Sequence, residues 1–451
     1  MLSAVFINNV HMKPYLSNNR LLQHRWQIPV LLTFVAIYGY LFYLILTHQY
    51  LLDFSSLYSS SKALSAGENP YEVLLTTYFS IIKKLPANLN PPIVLWLVTP
   101  LANLNYDTAV LLWCVGSFVL GLIGAGLAFN AAFSPQFLKD NRLNLYLIYL
   151  SFFAVMMDTA IAQLGSILLF FVMYGYHFYC KKNDLFAGIM WGIIIAFKLF
   201  PGLLFLYAVA QRRYKLVAVM LAVFLLLWLL PLLIFGTEIY TLYYAMLKRV
   251  LWYGDNWNSS LYGFIFRLMA GETAKNINLS LVNLIYTLLF SLSCLWYWTR
   301  MRAEDHNQQA FALTIVMMLL LSPFGWLYYL PLVIFPLALT WVDAIQEKIR
   351  PVRAMILWLL CLFLINFPID YVPIKKMNFW ISKLTIYSVY FYGLLLLAYL
   401  TSHLKIVHEP EIKIRREHVS FIPGIIAIFS FVLMLLILSF IVRNLTIHPP
   451  L

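Results

Sequence analysis

Repeated apolar segments of membrane-crossing length constrain this chain more than any other feature. The first runs from Ile28 to Thr47, and later ones include Leu216–Phe235, Leu279–Trp298 and Phe421–Val442. A run of about 20 apolar residues crosses a bilayer as a helix, whereas membrane β-strands alternate apolar and polar residues, a pattern absent here. Only 11% of residues are charged. The sequence therefore predicts an all-α polytopic membrane protein with about 13 transmembrane helices.

The net charge of +13 comes from lysines and arginines in short loops between apolar segments. We assign these loops to the cytoplasmic side by the positive-inside rule and exclude nucleic acid as a partner. Residues 1–27 are then a cytoplasmic segment, and the large extracytoplasmic loops are a long first one, 48–90, and a second, 237–278. Residues 346–451 are predicted to add C-terminal transmembrane helices.

Residues 91–211 fit two arrangements. In the first, residues 91–104 make half a crossing. Arg142, Lys181 and Lys182 then lie inside, and Asp158 and Lys198 face outward. In the second, residues 91–104 and 107–129 each cross, and Leu185–Gln211 forms one kinked helix. The first obeys the positive-inside rule better, and the second needs fewer broken helices.

The acidic residues limit the chemistry. There are 18 in the chain, none in an Asp-x-Asp pair that would clamp a metal and a nucleotide sugar, and no metal site or cofactor is predicted. Asp53 lies about one turn past the end of the first predicted membrane helix. It is predicted to begin a short helix whose Leu57–Leu64 portion is amphipathic and lies on the membrane surface.

These observations favour chemistry on a lipid-linked substrate at the outer face. Sugar transfer from a polyprenyl phosphate needs a carboxylate base, cations at the leaving phosphate and an apolar groove for the lipid. Asp53 is the candidate base, with a helix N-cap as the alternative. Lys198 lies inside an apolar run, where a lysine indicates a functional site or snorkels to the surface.

Several short motifs occur in a particular order. They are Asp53–Tyr71, Pro91-Pro92, Ala162-Gln163-Leu164, Leu185–Gly188 with Lys198–Pro201 and Arg212-Arg213, Asn258-Ser259-Ser260 with Arg267, and Ser322–Trp326. Together they resemble glycosyltransferase family 87 over roughly residues 28–345. The resemblance implies a GT-C-type membrane fold and polyprenyl-phosphate-mannose-dependent mannosyltransferase activity.

Site residues follow from the resemblance. Asp53 matches the first-loop aspartate, the presumed general base. The candidate substrate-binding residues are Lys198, Arg267, Asn258, Gln163, Asp158, Tyr328, Tyr329 and Glu68. Two departures stand out: Tyr328-Tyr329 replace a family histidine, and Ala162 and Gly165 replace the glycine and asparagine of a Gly-Gln-x-Asn element.

The leading hypothesis is a glycosyltransferase of a bacterial inner membrane with its active site on the extracytoplasmic side. Its partners would be a polyprenyl-phosphate-linked sugar, a lipid or glycan acceptor, and membrane lipids. The alternatives are a transporter or flippase of a lipid-linked sugar, and a non-catalytic scaffold in envelope-glycan assembly.

Overall fold

The computed structural model describes residues 27–48, 53–72, 88–249, 252–254, 256–270, 277–301, 307–347, 349–367 and 388–404. Within these ranges the chain is helical and has no strand, and an isolated antiparallel bridge pairs Asn258 with Trp326. The all-α prediction is confirmed for this part. Residues 1–26, and with them nearly all of the predicted cytoplasmic segment, lie outside the described residues, as does the predicted helix Phe421–Val442.

The helices are numbered here in chain order. They are α1 (Gln27–His48), α2 (Asp53–Ser65), α3 (Pro92–Ala102), α4 (Tyr106–Ala132), α5 (Pro135–Ser151), α6 (Phe153–Ala160), α7 (Gly165–Cys180), α8 (Asp184–Phe197), α9 (Leu203–Ala210), α10 (Tyr214–Phe235), α11 (Glu238–Arg249), α12 (Leu261–Ala270), α13 (Leu279–Met301), α14 (Asn307–Leu320), α15 (Ile334–Gln346), α16 (Pro351–Asn366) and α17 (Val389–Ser402). Short 3-10 helices cover Phe200–Gly202, Trp252–Gly254 and Leu327–Val333.

Five described segments are long and apolar enough to cross a membrane. They are Gln27–Thr47, Tyr106–Ala132, Tyr214–Phe235, Leu279–Met301 and Leu327–Gln346. The pair α5 and α6, bent by 59°, would make a sixth. The other apolar helices are shorter, so the count of about 13 crossings stays a prediction.

Helix α2 is placed differently from the sequence prediction. The helix itself is confirmed, but its position on the membrane surface is wrong, because it is buried in the protein and packs on α3. Small serines at 55, 56, 59, 60 and 61 let the neighbouring elements approach closely. The helix ends at Ser65, and Gly67, with a left-handed φ of 73°, closes a Schellman turn in which the Glu68 amide donates to the Ala63 carbonyl.

Helices α8 and α9 form a hairpin rather than one crossing. Arg213, after α9, forms an ion pair with Asp184 at the start of α8, so the chain returns to the face from which it left. Lys198 lies in the turn between them, in an extended conformation. This geometry is inconsistent with the single kinked helix of the second arrangement and favours the first.

The break after α8 leaves backbone carbonyls without helical partners. The indole nitrogen of Trp228, on α10, donates to the Ala196 carbonyl across a distance of 3.3 Å. In an apolar environment an unsatisfied carbonyl is costly, so this bond stabilises the hairpin at its interruption. The break thereby presents Lys198 to the site described next.

Candidate active site

The site lies where α2 begins and the α6–α7 turn passes it. The Asp53 backbone N–H donates to the Ile161 carbonyl at 3.1 Å, and the Gln163 side-chain amide donates to the Asp53 carboxylate. These bonds place the first-loop aspartate beside a segment more than 100 residues later in the chain. They also put Asp53 and Gln163 on one membrane face, as the first arrangement of residues 91–211 requires.

Asp53 is a half-buried carboxylate with a perturbed pKa. Burial raises the pKa of its carboxyl above the ordinary value, while the Gln163 hydrogen bond and the nearby Lys198 charge act to lower it. A carboxylate with a raised pKa is a stronger proton acceptor than an exposed one. The local environment therefore suits Asp53 to general-base chemistry.

Lys198 joins this group through the aromatic segment after Trp326. Its Nζ lies 5.7 Å from the centre of the Tyr329 ring, within cation–π range, and the Tyr329 ring packs 5.2 Å from that of Phe200. Tyr328 and Tyr329 belong to the 3-10 helix Leu327–Val333, and both are buried. The structure thus brings Asp53, Gln163, Lys198 and Tyr329 together.

The carboxylate of Asp158 is hydrogen-bonded to the first residues of α7. Its Oδ1 accepts from the Gly165 amide at 2.7 Å, and its Oδ2 accepts from the Ser166 amide at 2.8 Å and from the Ser166 hydroxyl at 2.6 Å. Its side chain is buried. These bonds stabilise the exposed amides of a helix N-terminus, so Asp158 orients the segment that carries Gln163.

Ala162 and Gly165, which replace the glycine and the asparagine of the Gly-Gln-x-Asn element, differ in their backbone geometry and surroundings. Ala162 has a left-handed φ of 55°, the conformation that glycine adopts most readily. Gly165 lies against Tyr328, because a Cβ added there would overlap the Tyr328 carbonyl oxygen. Ala162 therefore adopts a backbone conformation that is unfavourable for alanine. The absence of a side chain at Gly165 permits α7 to contact the Tyr328 backbone.

Asn258 holds two loops together. Its amide nitrogen donates to the carbonyls of Tyr253 and Pro323 at 3.0 and 2.9 Å, and its Oδ1 accepts from the amides of Ser260 and Gly325 at 3.2 and 3.1 Å. The side chain is fully buried. These four bonds tie residues 256–260 to the Ser322–Trp326 turn, so the two motifs form one unit.

The last two candidate residues are Arg267 and Glu68. Arg267 is buried in α12, which packs on α13 and the 3-10 helix Trp252–Gly254. Glu68 is exposed just beyond the Schellman turn of α2. Within the described residues, the side-chain hydrogen bond to the Asp53 carboxylate comes from Gln163.

Sequence reasoning missed Trp113. Its indole nitrogen donates to the Ala162 carbonyl at 2.9 Å, and its ring stacks on Phe54 with 5.1 Å between the centroids. It therefore braces the residue after Asp53 and the residue before Gln163 at once. An indole within an apolar helix was the available signal, but its partners are remote in the chain.

A family model, glycosyltransferase family 87, matches residues 88–323, which is just over half of the chain. The chain belongs to glycosyltransferase family 87. It is thus a membrane glycosyltransferase, and the resemblance inferred from the motifs is confirmed. No curated protein matches the chain. The family 87 match contains Asp158, Gln163, Lys198, Asn258 and Arg267, and it begins after Asp53 and Glu68 and ends before Tyr328 and Tyr329.

Proposed function

We propose that this family 87 protein transfers a sugar, mannose in the first instance, from a polyprenyl-phosphate donor to a hydroxyl of a lipid or glycan acceptor. The reaction takes place at the extracytoplasmic face of a bacterial inner membrane. The observation that carries the proposal is the meeting of Asp53 and Lys198 at one site: Gln163 bonds to the Asp53 carboxylate, and the Lys198 Nζ lies near by, 5.7 Å from the centre of the Tyr329 ring. Gln163 orients the carboxylate through its hydrogen bond.

The reaction is a single displacement. The acceptor oxygen attacks the anomeric carbon and a new C–O bond forms, while the bond from that carbon to the phosphate oxygen breaks. Asp53 takes the acceptor proton, and the bonding electrons leave with the polyprenyl phosphate. Lys198 and Arg267 stabilise the negative charge on that phosphate. Tyr328, Tyr329 and Glu68 offer hydroxyl and carboxylate groups to the sugar and acceptor, whereas Asp158 and Asn258 position the segments that carry the site.

Substitution of Asp53 by asparagine tests the base. The change keeps the size of the side chain but removes its basicity, so we expect transfer to fall by about 10²–10⁴-fold. Membranes or purified protein would be given a panel of polyprenyl-phosphate sugars, and release of polyprenyl phosphate would be measured. A nucleotide-sugar arm of the same assay tests the donor class.

Asp107→Asn is the matched control, because Asp107 is an exposed carboxylate in the first turn of α4. It should retain wild-type activity, and both variants should have the melting temperature of the wild type. Full activity in a folded Asp53→Asn protein would remove the assignment of the base. Movement of labelled lipid-linked sugar across vesicles without any transfer product would instead favour a flippase.

A further inference from the structure

A cavity of about 520 Å³ lies at the opposite end of α9 from Lys198. Its lining includes Gln211, Arg212, Tyr214, Trp298 and Met301. It opens between the α9–α10 turn and the end of α13, and the Gln211 amide bridges the two by donating to the Met301 carbonyl at 3.1 Å. The site proposed for sugar transfer uses none of these residues.

Arg212 has an unusual backbone for its position. Its φ is 56°, and the amides of Arg212 and Arg213 donate to the carbonyls of Val209 and Ala208, so Arg212 occupies the Schellman position that glycine usually takes. A residue with a Cβ costs about 1 kcal/mol in this left-handed conformation. Arg212 occupies this position with its side chain lining the cavity.

The neighbouring cations differ in their partners. Arg213 is held by its ion pair with Asp184, and its guanidinium lies 4.7 Å from the centre of the Tyr179 ring. Arg212 is exposed and has no ion pair among the described residues. The arginine that lines the cavity is thus the one available to an anion.

The surroundings of the cavity match the edge of a bilayer. Helix α10 begins at Tyr214 and α13 ends at Met301, both are candidate membrane spans, and both direct large apolar side chains outward, such as Leu226 and Leu295. Tyr214 and Trp298 lie where aromatic residues are enriched at membrane interfaces. Lys215 and Arg300 add exposed positive charge at the same end.

We propose that this cavity binds the phosphodiester headgroup of an anionic membrane phospholipid. Arg212 pairs with the phosphate, Tyr214 and Trp298 contact the glycerol region, and the acyl chains follow the outward faces of α10 and α13. A guanidinium recognises phosphate oxygens in a bidentate manner, which supports a phosphodiester as the ligand. Anionic lipids are abundant in the cytoplasmic leaflet, the side on which the basic loops place this cavity.

Lys182 offers a matched control. It ends α7 in the same Schellman geometry, with φ 57°, on the face that also carries Arg213, but it does not line the cavity. Arg212→Gly and Lys182→Gly each remove one positive charge and place glycine where the backbone favours it, so both proteins are expected to fold. Arg212→Lys retains the charge and loses the bidentate geometry.

The experiment is a titration of the purified full-length protein with short-chain phosphatidylglycerol, followed by native mass spectrometry. Phosphatidylcholine with the same chains and free glycerol phosphate are the comparison probes. We expect phosphatidylglycerol to bind in preference to both, and Arg212→Gly to weaken it about fivefold, the effect of one cation at an anionic surface. Lys182→Gly should bind phosphatidylglycerol as tightly as the wild type does. The affinity of Arg212→Lys should lie between those of the wild type and Arg212→Gly.

Equal losses in the two glycine variants would overturn the proposal, because they would show a diffuse charge effect. Equal binding of phosphatidylcholine, or equally tight binding of glycerol phosphate without acyl chains, would also overturn it. These outcomes do not depend on sugar transfer.

Discussion

At the scale of single residues, Asp53 depends on opposing influences. Burial raises the pKa of its carboxyl, and the Gln163 amide and the Lys198 charge act to lower it. The base must be ionised to accept a proton, so activity should rise with pH as Asp53 loses its own proton. Because the pKa is raised, this rise should occur at a higher pH than for an exposed aspartate.

Gln163→Leu tests whether the Gln163 hydrogen bond holds the Asp53 pKa below the value that burial alone would give. It removes a hydrogen bond that lowers the Asp53 pKa, so the pKa should increase and the acidic limb of the kcat/KM profile should move to higher pH. Gln308→Leu, which removes a glutamine amide bonded to the Ala131 carbonyl instead, should leave the limb in place. An unchanged limb in a folded Gln163→Leu protein would contradict the role given to the glutamine.

The same residues show what sequence could and could not provide. Asp53, Gln163 and Lys198 were identified from motifs, and the structure brings them together. Asp158 and Asn258 were predicted as substrate contacts, but their polar atoms are engaged in structural hydrogen bonds. A motif indicates that a polar residue is important but does not reveal its hydrogen-bond partners. For Asn258, one partner lies 67 positions away in the chain.

At the scale of elements, loops and helices touch at a few closely packed points. Asn258→Ala would remove four hydrogen bonds and leave the buried amides of Ser260 and Gly325 without this acceptor, so we expect a loss of at least about 2 kcal/mol in the free energy of unfolding. Asn283→Ala removes an exposed side-chain oxygen that accepts one hydrogen bond from the Tyr262 hydroxyl, so it should cost less. Thermal unfolding in detergent measures both. A higher KM with an unchanged melting temperature in Asn258→Ala would instead indicate a sugar contact.

Gly165→Ala tests the contact between α7 and the Tyr328 segment. The added Cβ would overlap the Tyr328 carbonyl oxygen and lie 2.8 Å from Oδ1 of Asp158, so the segments must separate at a cost of about 1–3 kcal/mol. Gly116→Ala in α4 meets no atom within 4 Å and should stabilise its helix by about 0.5–1 kcal/mol. A loss of transfer activity in Gly165→Ala alone would link this contact to the site. Equal melting temperatures for the two variants would contradict it.

At the scale of the whole molecule, the sequence predicted the long lipid-facing helices directly, but it left the broken ones open between two arrangements. α10 and α13 match the predicted Leu216–Phe235 and Leu279–Trp298 closely, because uninterrupted apolar runs identify exposed spans. The interruptions at Phe152 and Lys198 depend on tertiary partners such as Asn366, whose side chain accepts from the Phe153 amide at 2.6 Å. Local composition does not encode such partners.

The orientation of the molecule can be tested with cysteine labelling. Cys180 is exposed beside Lys181 and Lys182, on the predicted cytoplasmic side, whereas Glu68 is exposed on the predicted outer side. In single-cysteine proteins, Glu68→Cys should react with an impermeant maleimide in intact cells, and Cys180 should react only after permeabilisation. The reverse pattern would invert the topology and move the proposed site to the cytoplasm.

The indole bond from Trp228 to Ala196 has an evolutionary consequence. Around it, α10 presents leucines to lipid, and any aliphatic side chain of similar bulk can serve there. At position 228 the side chain must supply an N–H at a fixed reach, which no aliphatic residue can do. Random mutagenesis of this helix should therefore yield many accepted changes at the leucines and almost none at the tryptophan.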